Sequence, residues 1–135
     1  DWGPLLNGIW LTVHRETILR WEKETDPTGK KWKALEESTV NSRRTRKDKE
    51  KFTTILKSNG DLQSSIAANV KKLSVEIGTG LPYALIHQKG GTIKFKKRKG
   101  SVKIPARPYL GNSKRQDESI DNQIEVFIDG LLKGK

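Results

Sequence analysis

IGTGLPYALIHQKGGTIKFKKRKGSVKIPARPYLG, residues 77–111, decides the fold. In order it holds a Gly-Thr-Gly break, an apolar segment with one His, a basic run without an acid, and a Pro-Ala-Arg-Pro exit. Pro suits a helix start and Gly its end, so Pro82 and the pair Gly90-Gly91 bracket a two-turn helix over 82–88. Its Tyr83, Ala84 and Ile86 are expected to seat it on a sheet. Ile93 and Phe95, then Val102 and Ile104, alternate with Lys on the other face, which predicts a hairpin at about 92–104 with Lys97-Arg98-Lys99-Gly100 as its tip. Pro105 and Pro108 cannot continue a ladder and force an extended exit. The segment reads as a structural connector carrying a charged arm.

Upstream, Asn59-Gly60 marks a turn. Leu62, Ile66, Val70 and Leu73 fit a helix, whereas Ile66, Ala68 and Val70 alternate as in a strand. We read a short helix to about Ser65 and then a strand, which pairs with the Val75, Ile77 alternation as a hairpin. The amino-terminal residues 4–24 form an amphipathic helix with Leu6, Ile9, Trp10, Val13, Thr17 and Trp21 on one stripe. Ile18 and Leu19 fall off it, so either the helix is buried on a second side or these residues meet a neighbouring subunit. Asp26-Pro27-Thr28-Gly29 stops the helix, and Trp32 and Leu35 anchor the chain as it folds back. Residues 37–51 are almost all polar, with Val40 the exception, and read as a flexible basic loop. Asn112 or Ser113 caps a final helix whose Ile120, Ile124, Phe127, Ile128 and Leu131 keep core-facing spacing. The expected fold class is α+β: one domain over 1–135, with long N-terminal and C-terminal helices packed on a small antiparallel β-sheet and a protruding basic hairpin.

The chain has 135 residues, 33% apolar and 32% charged, enough for one core with some segments left in solvent. It has no cysteine, which excludes a disulfide framework and thiolate metal sites. Its apolar runs are too short to span a bilayer, so no membrane partner is expected. The net charge of +11 is unevenly placed. Residues 30–57 carry ten Lys or Arg against four acids, and 89–107 carry eight against none. The final helix reverses the sign with Asp117, Glu118, Asp121, Glu125 and Asp129. One molecule thus has a basic side and an acidic side.

Catalytic patterns are missing from the sequence. His14 and His87 lie far apart outside any metal-ligand spacing, and His87 among apolar and Gly neighbours reads as a satisfied structural histidine. Ser64, Ser65, His87 and Asp61 have no nucleophile elbow around them. Gly78-Thr79-Gly80 is too short to cradle a dinucleotide. We expect no catalytic residues, cofactor or metal.

The basic side offers Arg43, Arg44, Arg46 and Lys47 in the loop and Lys94, Lys96, Lys97, Arg98, Lys99 and Lys103 in the hairpin. Such clusters either bind polyphosphate through counterion release, whatever the base sequence, or meet an acidic protein neighbour, or remain solvated. Phe95 is the sole aromatic between Lys89 and Tyr109, so any DNA contact would be to the backbone. Arg107, held between two prolines, is expected to lock a turn or to join a subunit interface with Ile18, Leu19 and Tyr109.

Four spaced blocks carry a family resemblance. They are Asp26, Pro27, Gly29, Trp32 and Leu35; Ile55, Leu56, Gly60, Leu62, Ser65 and Ile66; Ile77, Gly78, Pro82, Tyr83, Ala84, His87, Gln88 and Gly90; and Pro105, Ala106, Arg107, Pro108, Leu110 and Gly111. In this order they resemble the phage virion morphogenesis family, the tail-completion proteins of Mu-like phages and prophages. The resemblance implies a non-enzymatic structural protein acting at tail completion or head-tail joining, as a ring-forming homo-oligomer beside other tail or connector proteins. It also implies a host-cytoplasm stage during assembly and then a place in the virion tail or neck. The alternative reading of the same residues is a sequence-independent nucleic-acid-binding module using the basic loop and hairpin, in contact with packaged DNA.

Overall fold

A computed structural model describes residues 1–44, 55–56 and 61–134, the side chains of 42–44 excepted. Helix α1 (Gly3–Lys23) has Pro4 in its first turn and ends where Glu24 turns left-handed, at φ 54°. The Asp26 carboxylate then accepts from the Thr28 amide (2.9 Å), the Thr28 hydroxyl (2.6 Å) and the Lys30 amide (3.0 Å). Burial alone would lift this carboxyl, but those hydrogen bonds hold it below its usual range. The turn brings Trp32 back along α1, its amide donating to the Glu24 carbonyl at 2.8 Å.

Trp32 joins Trp21, Ile55, Leu62, Ile66, Ala84 and Tyr109 in the core. The rings of Trp21 and Trp32 meet edge to face at 5.7 Å, and those of Trp21 and Tyr109 lie tilted at 39° with centres 4.9 Å apart. Every polar tip is satisfied: Trp21 Nε1 donates to the Leu56 carbonyl, Trp32 Nε1 to Pro108 and the Tyr109 hydroxyl to Ala84. This main buried cluster is therefore built around three aromatic rings near the C-terminal end of α1, while Leu5, Leu6 and Val13 are buried farther up the helix.

Between these anchors run α2 (Glu37–Arg44), the single turn α3 (Asp61–Ser64), β1 (Ala67–Val70), β2 (Val75–Gly78), α4 (Ala84–Lys89), β3 (Gly91–Lys94), β4 (Ser101–Ile104) and α5 (Lys114–Lys133). The α+β class stands, but the strands form two separate antiparallel pairs, β1 with β2 and β3 with β4, instead of one sheet. The separation comes from α4 and the turn after it. Gly90, at φ 74°, brings its backbone so close to Ala106 and Ile104 that a Cβ there would lie 2.8 Å from the Ala106 nitrogen. The second hairpin is thus tied to α4, not to β2.

Three further expectations are corrected. Residues 37–44, read as part of a loop, are helical: Glu37 sits in the first turn, where an acid suits the helix dipole, and charged side chains cost nothing while they stay in water. In α4 only Ala84 is buried, whereas Tyr83 and Leu85 face solvent. In α5 the apolar stripe is only half-buried at Ile120, Ile124 and Phe127, and Ile128 and Leu131 are exposed. Helices α1 and α5 run antiparallel, from Arg20 bonded to Gln116 at one end to the Trp2 and Phe127 rings 5.3 Å apart at the other. Beyond Phe127 the stripe has passed the last of these contacts.

Candidate functional site

The polar groups drawn together inside the chain are braces for its own backbone. Arg107, expected at a subunit interface, is buried: its Nε donates to the Lys33 carbonyl at 2.8 Å, an Nη to Ala34 at 3.0 Å and its amide to His87 at 2.8 Å. Tyr109, expected beside it at that interface, is only 2% exposed and belongs to the core. The physical reason is the same for both. The Pro105-Ala106-Arg107-Pro108 exit runs between α4 and the extended segment 33–34, so its alternate side chains, Arg107 and Tyr109, point inward.

Two partners of this exit, Gln88 and Arg20, carry no local signal. The Gln88 side chain accepts from the amides of Tyr109 (3.0 Å) and Leu110 (3.1 Å) and donates to the Leu110 carbonyl (2.7 Å), copying a strand pairing with one amide group. Arg20 donates to the Tyr109 carbonyl and to Gln116 Oε1, both at 3.0 Å. Burial pulls the Arg20 guanidinium below its ordinary value, with Glu16 and Asp26 opposing. Glu16 in turn pairs with Arg115 at 3.2 Å, which fastens α1 to α5. Gln88 stands within a family-like block, but nothing in its neighbours announces a contact 21 residues away.

His87 is not the satisfied histidine that the sequence suggests. Its Nδ1 is buried without a hydrogen-bond partner among the described residues, beside the edge-on ring of Tyr83 at 6.0 Å. Burial, and then the nearby Arg107 cation, push its pKa below the usual 6.5.

Among the described residues, two exposed surfaces stand out by their charge. On the β3–β4 hairpin, Lys94, Lys96, Lys97, Arg98, Lys99 and Lys103 are all exposed. The register pairs Ile93 with Val102 and Thr92 with Lys103, so the hairpin has an apolar face and a basic one. Arg98 lies over the Phe95 ring, 4.2 Å from its centre, which stiffens the tip. On α5, Glu118, Asp121, Glu125 and Asp129 are exposed at spacings of three and four along one outward face. Beside them a groove of about 660 Å³ opens between α1 and α5, with Pro4, Leu5, Val126 and Phe127 as its apolar lining. The helices approach closely along it: a Cβ on Gly8 would lie 2.6 Å from Gln123 Oε1.

Of the other expected contact residues, Ile18 and Leu19 are half-buried on α1. Arg43 and Arg44 lie in α2, and Arg46 and Lys47 lie outside the described residues. Among the described residues, no three His, Cys, Asp or Glu side chains are grouped to hold a metal, and no helix is long and apolar enough to cross a membrane.

The model of the phage virion morphogenesis family matches residues 1–128, so the likeness runs past Gly111 through most of α5. The putative capsid assembly protein G of Escherichia phage Mu is 34% identical over 116 residues, which cover 84% of this chain and 70% of the relative. The Mu-like prophage FluMu G protein 2 of Haemophilus influenzae is 34% identical over 131 residues, covering 97% of this chain and 81% of the relative. No solved structure matches. A match that spans α1, both hairpins and most of α5 takes in nearly all of the architecture, and the chain belongs to the phage virion morphogenesis family.

Proposed function

We propose that this chain is a non-enzymatic structural subunit that acts at tail completion or head-tail joining as a ring-forming homo-oligomer, assembled in the bacterial host cytoplasm and retained in the virion tail or neck. The family match over residues 1–128 carries the reading. The name of the Mu relative, a putative capsid assembly protein, points to the same stage of particle building. The chemistry is in keeping with it. Arg20, Gln88, Arg107 and Tyr109 are spent on main-chain carbonyls and amides. What is left exposed is opposite charge on two separate patches, which suits docking between identical subunits.

Removal of the gene from the phage or prophage that encodes the chain tests this. Heads and unfinished or unjoined tails are expected to accumulate in the lysate, with intact particles restored when purified protein is added. Normal tailed particles in its absence would overturn the reading.

A further inference from the structure

We infer that the β3–β4 hairpin of one copy of this chain docks in the α1–α5 groove of the next, and that this contact repeats head to tail around the assembly. The inference rests on the reading of the chain as an oligomer and adds which two surfaces meet.

The receptor is the groove between Pro4 and Leu5 on α1 and Val126 and Phe127 on α5. Val126 is 73% exposed although it borders this apolar lining, so the single chain leaves the groove uncovered. Glu118 lines the groove, and Asp121, Glu125 and Asp129 follow it along the outward face of α5. Residues 116–132 contain five acids and no Lys or Arg, while Arg115, which also lines the groove, is paired with Glu16, and Asp129 with Lys133.

The hairpin is the complement in both respects. Ile93 and Val102, paired across the strands, are 43% and 40% exposed, so an apolar pair stands partly in water. Around it are Lys94, Lys96, Lys97, Lys99 and Lys103, and residues 89–107 contain no acid. An apolar centre within a charged rim is how protein contacts are built, and opposite rims set their register.

This pairing also argues against DNA as the occupant of the hairpin. A duplex would neutralise the lysines but leave Ile93 and Val102 wet, and the one nearby aromatic, Phe95, is already covered by Arg98. Only an apolar receptor rewards burial of that pair. Because donor and receptor are different patches of one chain, the contact is heterologous and closes into a ring when its rotation divides the circle.

The absence of native cysteine makes a direct test clean. Val102→Cys and Val126→Cys, both at exposed positions, are mixed under mild oxidation, with Val102→Cys plus Glu22→Cys as the control pair. The expected result is a disulfide dimer joining the two variants as the main product of the first mixture, well above the control. In parallel, reversal of the hairpin (Lys96→Glu, Lys97→Glu, Lys99→Glu) or of α5 (Glu118→Lys, Asp121→Lys, Glu125→Lys) should weaken self-association by about tenfold or more, and the two combined in one chain should recover it. Sedimentation velocity reads the association, and circular dichroism confirms that each variant is folded.

If the unmodified chain sediments as an oligomer but the first mixture cross-links no better than the control, this contact is wrong and the oligomer reading stands. A chain that stays monomeric at every concentration sinks both. Loss of duplex retention with unchanged self-association on reversing the hairpin would also overturn the inference, by making the hairpin a DNA arm.

Discussion

Arg107 shows how one residue can hold a segment without regular structure. The exit after β4 has two prolines and so lacks two amide donors. The guanidinium ties this exit to the segment before α2 by donating to the carbonyls of Lys33 and Ala34. The same cation sits near His87 and reinforces burial in keeping that imidazole neutral. His87 in the folded chain binds its proton more weakly than in the unfolded chain, so its share of stability is full above the unfolded pKa of about 6.5 and is lost as pH falls through that value toward the lower folded one. We expect thermal unfolding of the natural chain to lose ground relative to His87→Gln between pH 7.5 and pH 5.5, with the difference flat above pH 7.5. Parallel pH profiles for the two proteins would show that burial of this imidazole is not linked to folding.

Among the elements, α4 and the turn that follows decide why there are two ladders. The backbone crossing at Gly90 leaves no room for a side chain, and its φ of 74° disfavours one further. Gly80, by contrast, has open space around it and no left-handed φ. Gly90→Ala is expected to destabilise by more than about 1 kcal/mol, and Gly80→Ala to stay within about 0.5 kcal/mol. Urea titration with unchanged slopes checks both. Equal midpoints would mean that the crossing is looser than the structure has it. The helix boundaries obey more local rules. Ser113 caps α5 by accepting from the Gln116 amide at 3.1 Å, one of two capping residues the sequence offered.

At the scale of the whole molecule, stability and recognition occupy different regions. The aromatic core at the end of α1 holds the fold, whereas every residue of β3 and all but Ile104 of β4 are exposed. Trp32→Ala should therefore cost about 3–5 kcal/mol, while Val102→Ser should change monomer stability by only about 0.5 kcal/mol. Chemical denaturation distinguishes them, and similar losses would place the hairpin within the cooperative core. Much of this was legible beforehand. The α1 stripe, the Asp26 turn, the Trp32 anchor, both hairpins and the α5 cap all follow from period, turn chemistry and capping, which act over a few residues. So did the charge asymmetry, because net charge needs no coordinates. Contacts between distant residues were not legible. Gln88 against Tyr109, Arg20 against Gln116, the inward turn of Arg107 and the groove left open beside Val126 depend on how α1, α4 and α5 meet. Local sequence determined most of the elements, residues 37–44 excepted, and only tertiary packing decided how the strands pair, which polar side chains were used up as braces and which surfaces stay exposed. The reason is that hydrogen bonding and burial across the fold depend on three-dimensional proximity, which spacing along the chain does not encode.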